Sequence, residues 1–260
     1  FVRAQRVALS GAAVLIRGET GTGKELMGRA LHGLSNRSER PFCAVNCAML
    51  TSEMLASELF GHVRGAFTGA VADRVGLFQR AHRGTLFLDE VADIPLELQA
   101  SLLRALESQR FVPLGGTKSV QVDVRVLSAT HQSLRRLVDR GVFRRDLMYR
   151  IRVVPFYLPP LRERGGDVEL LLQHFVQHFN QRGLRRVRAV DREVRDALLG
   201  YDWPGNVREL RNVVEHAFAV GVGDLLTLED LPPELRGEAP PDELLTPAGI
   251  ERAELVNALA

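Results

Sequence analysis

The chain has 260 residues and a mass of 28.9 kDa, with a hydrophobic fraction of 45%, a charged fraction of 25% and a formal net charge of +2. That composition fits one large globular domain or two modest ones, and it excludes whole-chain disorder and a module that grips nucleic acid by bulk charge. Two cysteines, Cys43 and Cys47, exclude a disulfide framework and, without nearby His ligands, a structural zinc site; both read as small buried hydrophobes in a reducing compartment.

The first apolar run, Leu9 to Ile16, is too short to span a bilayer, and no charged, apolar and cleavage regions follow one another as in a signal peptide. Its second half, Ala12-Ala13-Val14-Leu15-Ile16, reads as a buried strand leading into a glycine-rich turn. A helical pattern follows from Glu25 to Leu34, then a second strand over Phe42 to Cys47. Thr85-Leu86-Phe87-Leu88 forms a third strand that runs straight into Asp89 and Glu90. Asp93 as cap, and Pro95 in a first turn where its missing N–H costs nothing, open a helix through Ser108. Two further strands are expected over Val122 to Leu127 and Val153 to Leu158. Strands alternating with helices predict an α/β fold, a parallel sheet covered on both faces.

After Pro159-Pro160 the pattern becomes all-helical. Asp167 is expected to cap a helix whose Val168, Leu171, Leu172, Phe175, Val176 and Phe179 share one face. Asp191 is expected to cap a second helix through Leu199, and a third begins at Asn206 or Val207 and ends near Val220. The expected organisation is an α/β part over 1–163, a small helical part over 164–236, and a linker over 237–260 that contains Pro240-Pro241 and leads into a further helix from Thr246-Pro247. The chain begins at Phe1 and stops inside that last helical pattern, so it reads as a piece of a longer protein.

Three motifs carry chemistry. Gly18-Glu19-Thr20-Gly21-Thr22-Gly23-Lys24, between a strand and a helix, has the context of a phosphate-binding P-loop. Its backbone N–H groups and the helix N-terminus favour an anion, and Lys24 would reach the β- and γ-phosphates. Glu25 stands where such loops usually carry a Ser or Thr that binds magnesium, so another group must complete the metal shell. Asp89 and Glu90, at a strand end, can hold Mg²⁺ and orient or deprotonate an attacking water. Together these point to a nucleoside triphosphatase. The third motif, Gly65-Ala66-Phe67-Thr68-Gly69-Ala70, reads as a tight loop with Phe67 exposed at its tip unless a partner covers it.

GETGTGKE, ELFGH, GAFTGA, GTLFLDE, FRRDLMYR, LPPLRER and WPGNVRELRN occur in an order and spacing that closely resemble the AAA+ ATPases of bacterial sigma-54-dependent transcription activators, over about Val14 to Leu235. The resemblance implies a P-loop AAA+ sheet sandwiched by helices, followed by a helical lid. It also implies ATP and Mg²⁺ as cofactors, a ring that is usually hexameric, cytoplasmic location without membrane attachment, and remodelling of the sigma-54 RNA polymerase closed complex. Promoter or enhancer DNA would be met through a domain largely absent from this chain.

Residue by residue, the resemblance implies nucleotide contacts from Gly18 through Glu25, where glutamate is usual for the family, and from Arg208 as sensor II. Asn46 resembles the switch asparagine that pairs with Glu90, a structural amide being the alternative. Residues 65–70 would touch the sigma factor, and Phe111 to Val120, with Gly115-Gly116-Thr117, would support them as a second loop. Thr130 matches sensor I. His131 follows where asparagine is common, which argues against a direct polar role there. Arg144 and Arg150 resemble arginine fingers, with Arg145 as the spare; a guanidinium suits this because its fork binds phosphate oxygens and keeps its charge. His174 and His178 read as surface histidines, and Arg182, Arg185, Arg186 and Arg188 as a solvated loop. Two rival readings remain: another AAA+ machine, such as an unfoldase or loader, which does not require GAFTGA, and a nucleotide-gated regulator that hardly hydrolyses, against which Lys24, Asp89 and Glu90 argue.

Overall fold

Five short apolar strands define the first part of the chain: β1 (Val14–Arg17), β2 (Phe42–Asn46), β3 (Thr85–Asp89), β4 (Arg125–Thr130) and β5 (Val154–Tyr157). They pair in parallel in the order β2-β3-β4-β1-β5. The computed structural model describes residues 2–183 and 185–238. The chain divides between Leu158 and Pro159 into two compact units.

In the first unit the helices are α1 (Val2–Ser10), α2 (Lys24–Gly33), α3 (Ser52–Phe60), α4 (Leu77–Arg80), α5 (Leu96–Ser108), α6 (Leu134–Asp139) and α7 (Arg145–Ile151). Side chains alternate across a strand, so a strand apolar at every position must be covered on both faces. β3 shows this directly: Leu86 and Leu88 enter one core with Leu15, Leu102 and Leu147, while Phe87 enters the other with Val14, Ile16 and Leu31. Arg125, buried at the start of β4, donates to the carbonyls of Val7 (2.9 Å) and Ala8 (2.7 Å) at the end of α1. It thereby satisfies carbonyls that a helix terminus leaves without partners.

Several expected boundaries shift. β4 starts at Arg125 rather than Val122, because Val122 is drawn into the hairpin that pairs Arg110–Phe111 with Val120–Gln121; its N–H donates to the Gln109 carbonyl at 2.9 Å. Asp93 does not cap α5. It closes a 3₁₀ turn over Val91–Asp93, and Pro95 itself takes the N-cap position, while the Asp93 carboxylate accepts from Gln132 Nε2 at 2.8 Å. Cys47 is buried as expected, and Cys43 is only half-buried.

The second unit is built on α8 (Gly165–Asn180), α9 (Arg192–Gly200) and α10 (Asn206–Val220), with Leu172, Phe175, Phe179, Leu198, Trp203, Leu210 and Phe218 in its core. α8 starts two residues before Asp167, which lies in the first turn and pairs with Arg164 (3.5 Å) instead of capping. Asp191 does cap α9. The turn before α10 is held by buried groups: Trp203 Nε1 donates to the Leu198 carbonyl at 2.9 Å, and Asn206 Oδ1 accepts from the Leu161 N–H at 2.8 Å. The expected linker and helix beyond Glu238 lie outside the described residues. No helix among the described residues is long and apolar enough to cross a membrane.

The basic run 182–188 is not simply a solvated loop, because Arg185 is buried. Its guanidinium donates to the carbonyls of Ala217 (2.7 Å), Val222 (2.9 Å), Gly223 (2.9 Å) and Leu225 (2.6 Å), and it pairs with Asp230 at 3.0 Å. Asp230 in turn accepts from the Thr227 N–H at 3.0 Å. Removing one partner of such a pair leaves a buried charge and orphaned carbonyls. Arg185→Ala should therefore cost about 3–5 kcal/mol of unfolding free energy in a denaturant titration, with an exposed neighbour, Arg186→Ala, near neutral.

Candidate functional site

All five strands of the sheet are parallel, so their C-terminal ends open at one edge. β1 delivers the glycine-rich loop there, β3 delivers Asp89 and Glu90, and β4 delivers Thr130 and His131. The Gly18 N–H reaches the Thr130 carbonyl at 3.4 Å and ties the first of these to the last. Gly23, at φ 94°, turns the chain into α2 through a left-handed conformation that costs a residue with a Cβ far more. Thr22 is buried and its hydroxyl donates to the Glu19 carbonyl at 2.8 Å, which closes the loop on itself.

Lys24 is buried at the head of α2. Its ammonium donates to the carbonyls of Gly18 (3.1 Å) and Glu19 (3.3 Å), and its Nζ lies 3.4 Å from Glu90 Oε1. Glu25 points elsewhere, onto Arg29 one turn along the helix at 2.7 Å. Glu90 sits at φ 49°, ψ 50°, a left-handed conformation rare outside glycine. Such backbone costs on the order of 1–3 kcal/mol and persists only where the surroundings fix it.

The two carboxylates differ in environment. Burial and the neighbouring Glu90 charge push the Asp89 carboxyl above the ordinary range, against the pull of Lys24. Burial also works to raise Glu90, but the hydrogen bond from His131 and the charge of Lys24 outweigh it and hold that carboxyl below the usual value. Asp89 Oδ1 accepts from the Glu90 N–H at 3.1 Å, and no other hydrogen bond to this carboxylate occurs among the described residues. A crowded, half-buried carboxylate with oxygen capacity to spare suits Mg²⁺, which takes one or two carboxylates and completes its shell with water and phosphate. No cluster of three or more His, Cys, Asp or Glu side chains among the described residues could cage a metal by itself.

Some expected residues are placed differently. Asn46 does not pair with Glu90. Its Oδ1 accepts from the Ala48 N–H at 3.0 Å and caps the turn Cys47–Met49, although its register partner across the sheet is Asp89. Glu90 is held by His131 instead, and no sequence signal beyond its place after Thr130 marked that residue. The His131 N–H (3.2 Å) and ring Nδ1 (2.9 Å) both meet Glu90 Oε2. Thr130 is fully buried, and its hydroxyl accepts from the Gln132 N–H at 3.0 Å.

Arg144 is the N-cap residue of α7 and Arg150 lies in its last turn, and among the described residues neither bonds to Lys24, Asp89 or Glu90. Arg144 makes a two-pronged pair with Asp146 (3.1 and 2.8 Å), and Arg150 donates to the Leu106 carbonyl at 2.7 Å. Arg145 is exposed. In the second unit Arg208 is exposed in the first turn of α10.

The loop over 65–70 is closed by its own backbone: the Gly65 N–H donates to the Ala70 carbonyl (2.8 Å) and the Ala70 N–H to the Phe67 carbonyl (3.0 Å). Phe67 is not exposed at the tip. It is half-buried, edge-on to the His62 ring with centroids 4.9 Å apart, and His62 Nδ1 meets Ser57 Oγ at 2.8 Å. Thr68 is exposed. The second loop does reach the first. The Val63 N–H donates to the Leu114 carbonyl and the Leu114 N–H to the Gly61 carbonyl, both at 3.0 Å. A Cβ on Gly115 would lie 2.8 Å from that of Ala66, so the two loops meet where a side chain has no room.

The sheet order, the P-loop and the acids at the strand edge define an AAA+ ATPase-type nucleotide-binding domain. A family model of the sigma-54 interaction domain matches residues 1–157, and one of the AAA+ ATPase lid domain matches residues 162–247. The chain belongs to the family of sigma-54-dependent transcriptional regulators. It is 49% identical over 231 residues to the regulatory protein AtoC of Escherichia coli, covering 89% of this chain and 50% of that protein. It is 47% identical over 244 residues to the sigma-54-dependent transcriptional regulator SfnR of Pseudomonas fluorescens, covering 93% and 66%. The crystal structure of NtrX from Brucella abortus in complex with ATP superposes with a TM-score of 0.84 at 39% identity, covering 91% of this chain and 53% of that one. The ADP complex of the same protein gives 0.83 at 38%, covering 97% and 58%. The chain thus spans about half to two thirds of the length of these relatives.

Among the described residues Lys24 is the one ammonium or guanidinium within 4 Å of Glu90. Its positive charge lowers both carboxyls. Lys24→Met should therefore raise the titration points of Asp89 and Glu90 together, read from their side-chain carboxyl carbons by NMR.

Proposed function

We propose that this chain is an ATP-hydrolysing motor that remodels the sigma-54 RNA polymerase closed complex through residues 65–70. The observation that carries the reading is the cluster at the C-terminal edge of the sheet, where Lys24 lies between the P-loop carbonyls and Glu90 and Asp89 lies beside Glu90. The nucleotide-bound NtrX structures, with the same fold, support nucleotide occupancy of this edge.

In this reading residues 18–25 wrap the phosphates, and Lys24 exchanges its two carbonyl partners for β- and γ-phosphate oxygens. Asp89 would hold Mg²⁺, directly or through water; the bound ion would shield phosphate charge. Glu90 accepts a proton from the attacking water while a bond forms to the γ-phosphorus and the bond to the β–γ bridging oxygen breaks, giving ADP and phosphate. Thr130 reports the nucleotide state from the end of β4, beside Glu90. Arg144 and Arg150 make no contact with their own site, as expected of fingers offered to the neighbouring subunit of a ring, here taken as a hexamer. Arg208 serves as sensor II. The motor works in the cytoplasm, and DNA is engaged by another part of the full protein.

The contact between the 65–70 loop and the Leu114–Gly115 segment supports the transmission of hydrolysis to the sigma factor. A generic unfoldase or loader gives no reason for Thr68 to stand exposed on that loop. Two measurements test the assignment. Thr68→Ala should retain ATP turnover and lose open-complex formation at a sigma-54 promoter; normal promoter opening would remove the loop from the mechanism. Arg144→Ala and Arg150→Ala should each lower turnover of the assembled protein about 10³-fold or more, and mixing either with Lys24→Ala subunits should restore part of it if the fingers act between subunits.

A further inference from the structure

We propose that Gln99 is a positioning residue for the finger Arg144: it ties the backbone that carries Arg144 to the segment that follows Glu90. This role rests on the reading of Arg144 as a finger offered to the neighbouring subunit. It gives a part in hydrolysis to a buried amide that lies outside the three motifs and bonds to none of Lys24, Asp89 and Glu90.

Gln99 lies in the first turn of α5 and is fully buried. Its amide has three main-chain partners. Nε2 donates to the Ile94 carbonyl at 2.9 Å and to the Val142 carbonyl at 3.1 Å, and Oε1 accepts from the Arg144 N–H at 2.7 Å. Both amide protons and the oxygen are thus engaged, and turning the amide over would set its oxygen against two carbonyls. Ile94 ends the 3₁₀ turn that follows Glu90, while Val142 to Arg144 lead into α7. One side chain therefore joins the stretch just after the acids to partners 43 and 45 residues further along the chain.

What the amide adds beyond bulk is placement. An apolar side chain of similar length would fill the same space but leave the Arg144 N–H and two carbonyls without these partners. Phe143 is buried next to Arg144 and holds the segment in the core. Apolar contact is non-directional, so the hydrogen bond at the Arg144 N–H is what sets the direction of the backbone there. The Arg144 side chain is exposed and pairs with Asp146 (3.1 and 2.8 Å), a partner two residues away that moves with it. That pair shapes the finger without placing it relative to Asp89 and Glu90, and Gln99 supplies the placement. Displacing a reacting group by about 1 Å costs about 10²-fold in rate, which sets the size of the expected effect.

The test is steady-state ATP turnover by the 260-residue chain with Mg²⁺, with ATP affinity measured on the same samples. Gln99→Met should lower kcat about 10- to 100-fold and leave ATP affinity within about twofold. The milder Gln99→Glu, whose buried carboxyl stays protonated and keeps an acceptor and one donor, should lose less. Mixing separates positioning from a general structural role. A Gln99 variant keeps its own Lys24, Asp89 and Glu90 but misplaces the finger it offers, while a Lys24→Ala subunit has a disabled site and an intact finger. Adding Lys24→Ala subunits should therefore raise turnover per Gln99→Met subunit severalfold. Wild-type kcat in Gln99→Met, loss of ATP binding by both Gln99 variants, or turnover that Lys24→Ala subunits do not restore overturns the positioning role. Arg144→Ala is the reference: if it is inactive beside a fully active Gln99→Met, only the Gln99 role falls. Full turnover by Arg144→Ala fails the finger reading itself, and the Gln99 role with it.

Discussion

Parallel pairing of five strands is the constraint on which the first unit depends. Parallel strands need crossovers, crossovers bring helices onto both faces, and every strand then ends at the same edge. The chemistry is collected by that geometry from segments far apart in the chain. Lys24 follows β1, Asp89 and Glu90 end β3, and His131 follows β4, yet all lie within one hydrogen-bonded group. Breaking the apolar runs that make the strands parallel would scatter these residues without touching any of them.

Within that group the electrostatics are self-contained. A buried ammonium, a half-buried carboxylate and an imidazole satisfy one another, and the spare ammonium donors go to P-loop carbonyls. A buried charge is tolerable only when paired and hydrogen-bonded. These groups therefore form a closed circuit in which each charge has its partner within the group or in the P-loop backbone.

Much of this was legible in the residues. The alternation of apolar strands with helical patterns predicts the parallel sheet, and the glycine-rich loop and the acids after Leu88 mark its working edge. What was not legible depends on partners distant in sequence. Asp93 looks like a cap because a carboxylate before a proline usually is one, but Gln132 claims it from another strand's end. Phe67 reads as an exposed tip until His62, five residues earlier, folds under it. Asn46 reads as the partner of Glu90 until its oxygen turns to the Ala48 N–H, and it is His131 that meets that carboxylate, because hydrogen-bond geometry and not residue type decides which of them reaches it. The arginines at 182–188 look alike in the sequence, and only tertiary structure separates the buried one from the rest.

Arg185 gives the second unit a mechanical property. Its guanidinium binds the carbonyl of Ala217 near the end of α10 and, at the same time, the backbone of 222–225 and the carboxylate of Asp230. The far end of that helix is thus riveted, while Asn206 fastens the near end to Leu161. Shifting α10 within the second unit would therefore mean breaking buried hydrogen bonds at one end of the helix or the other.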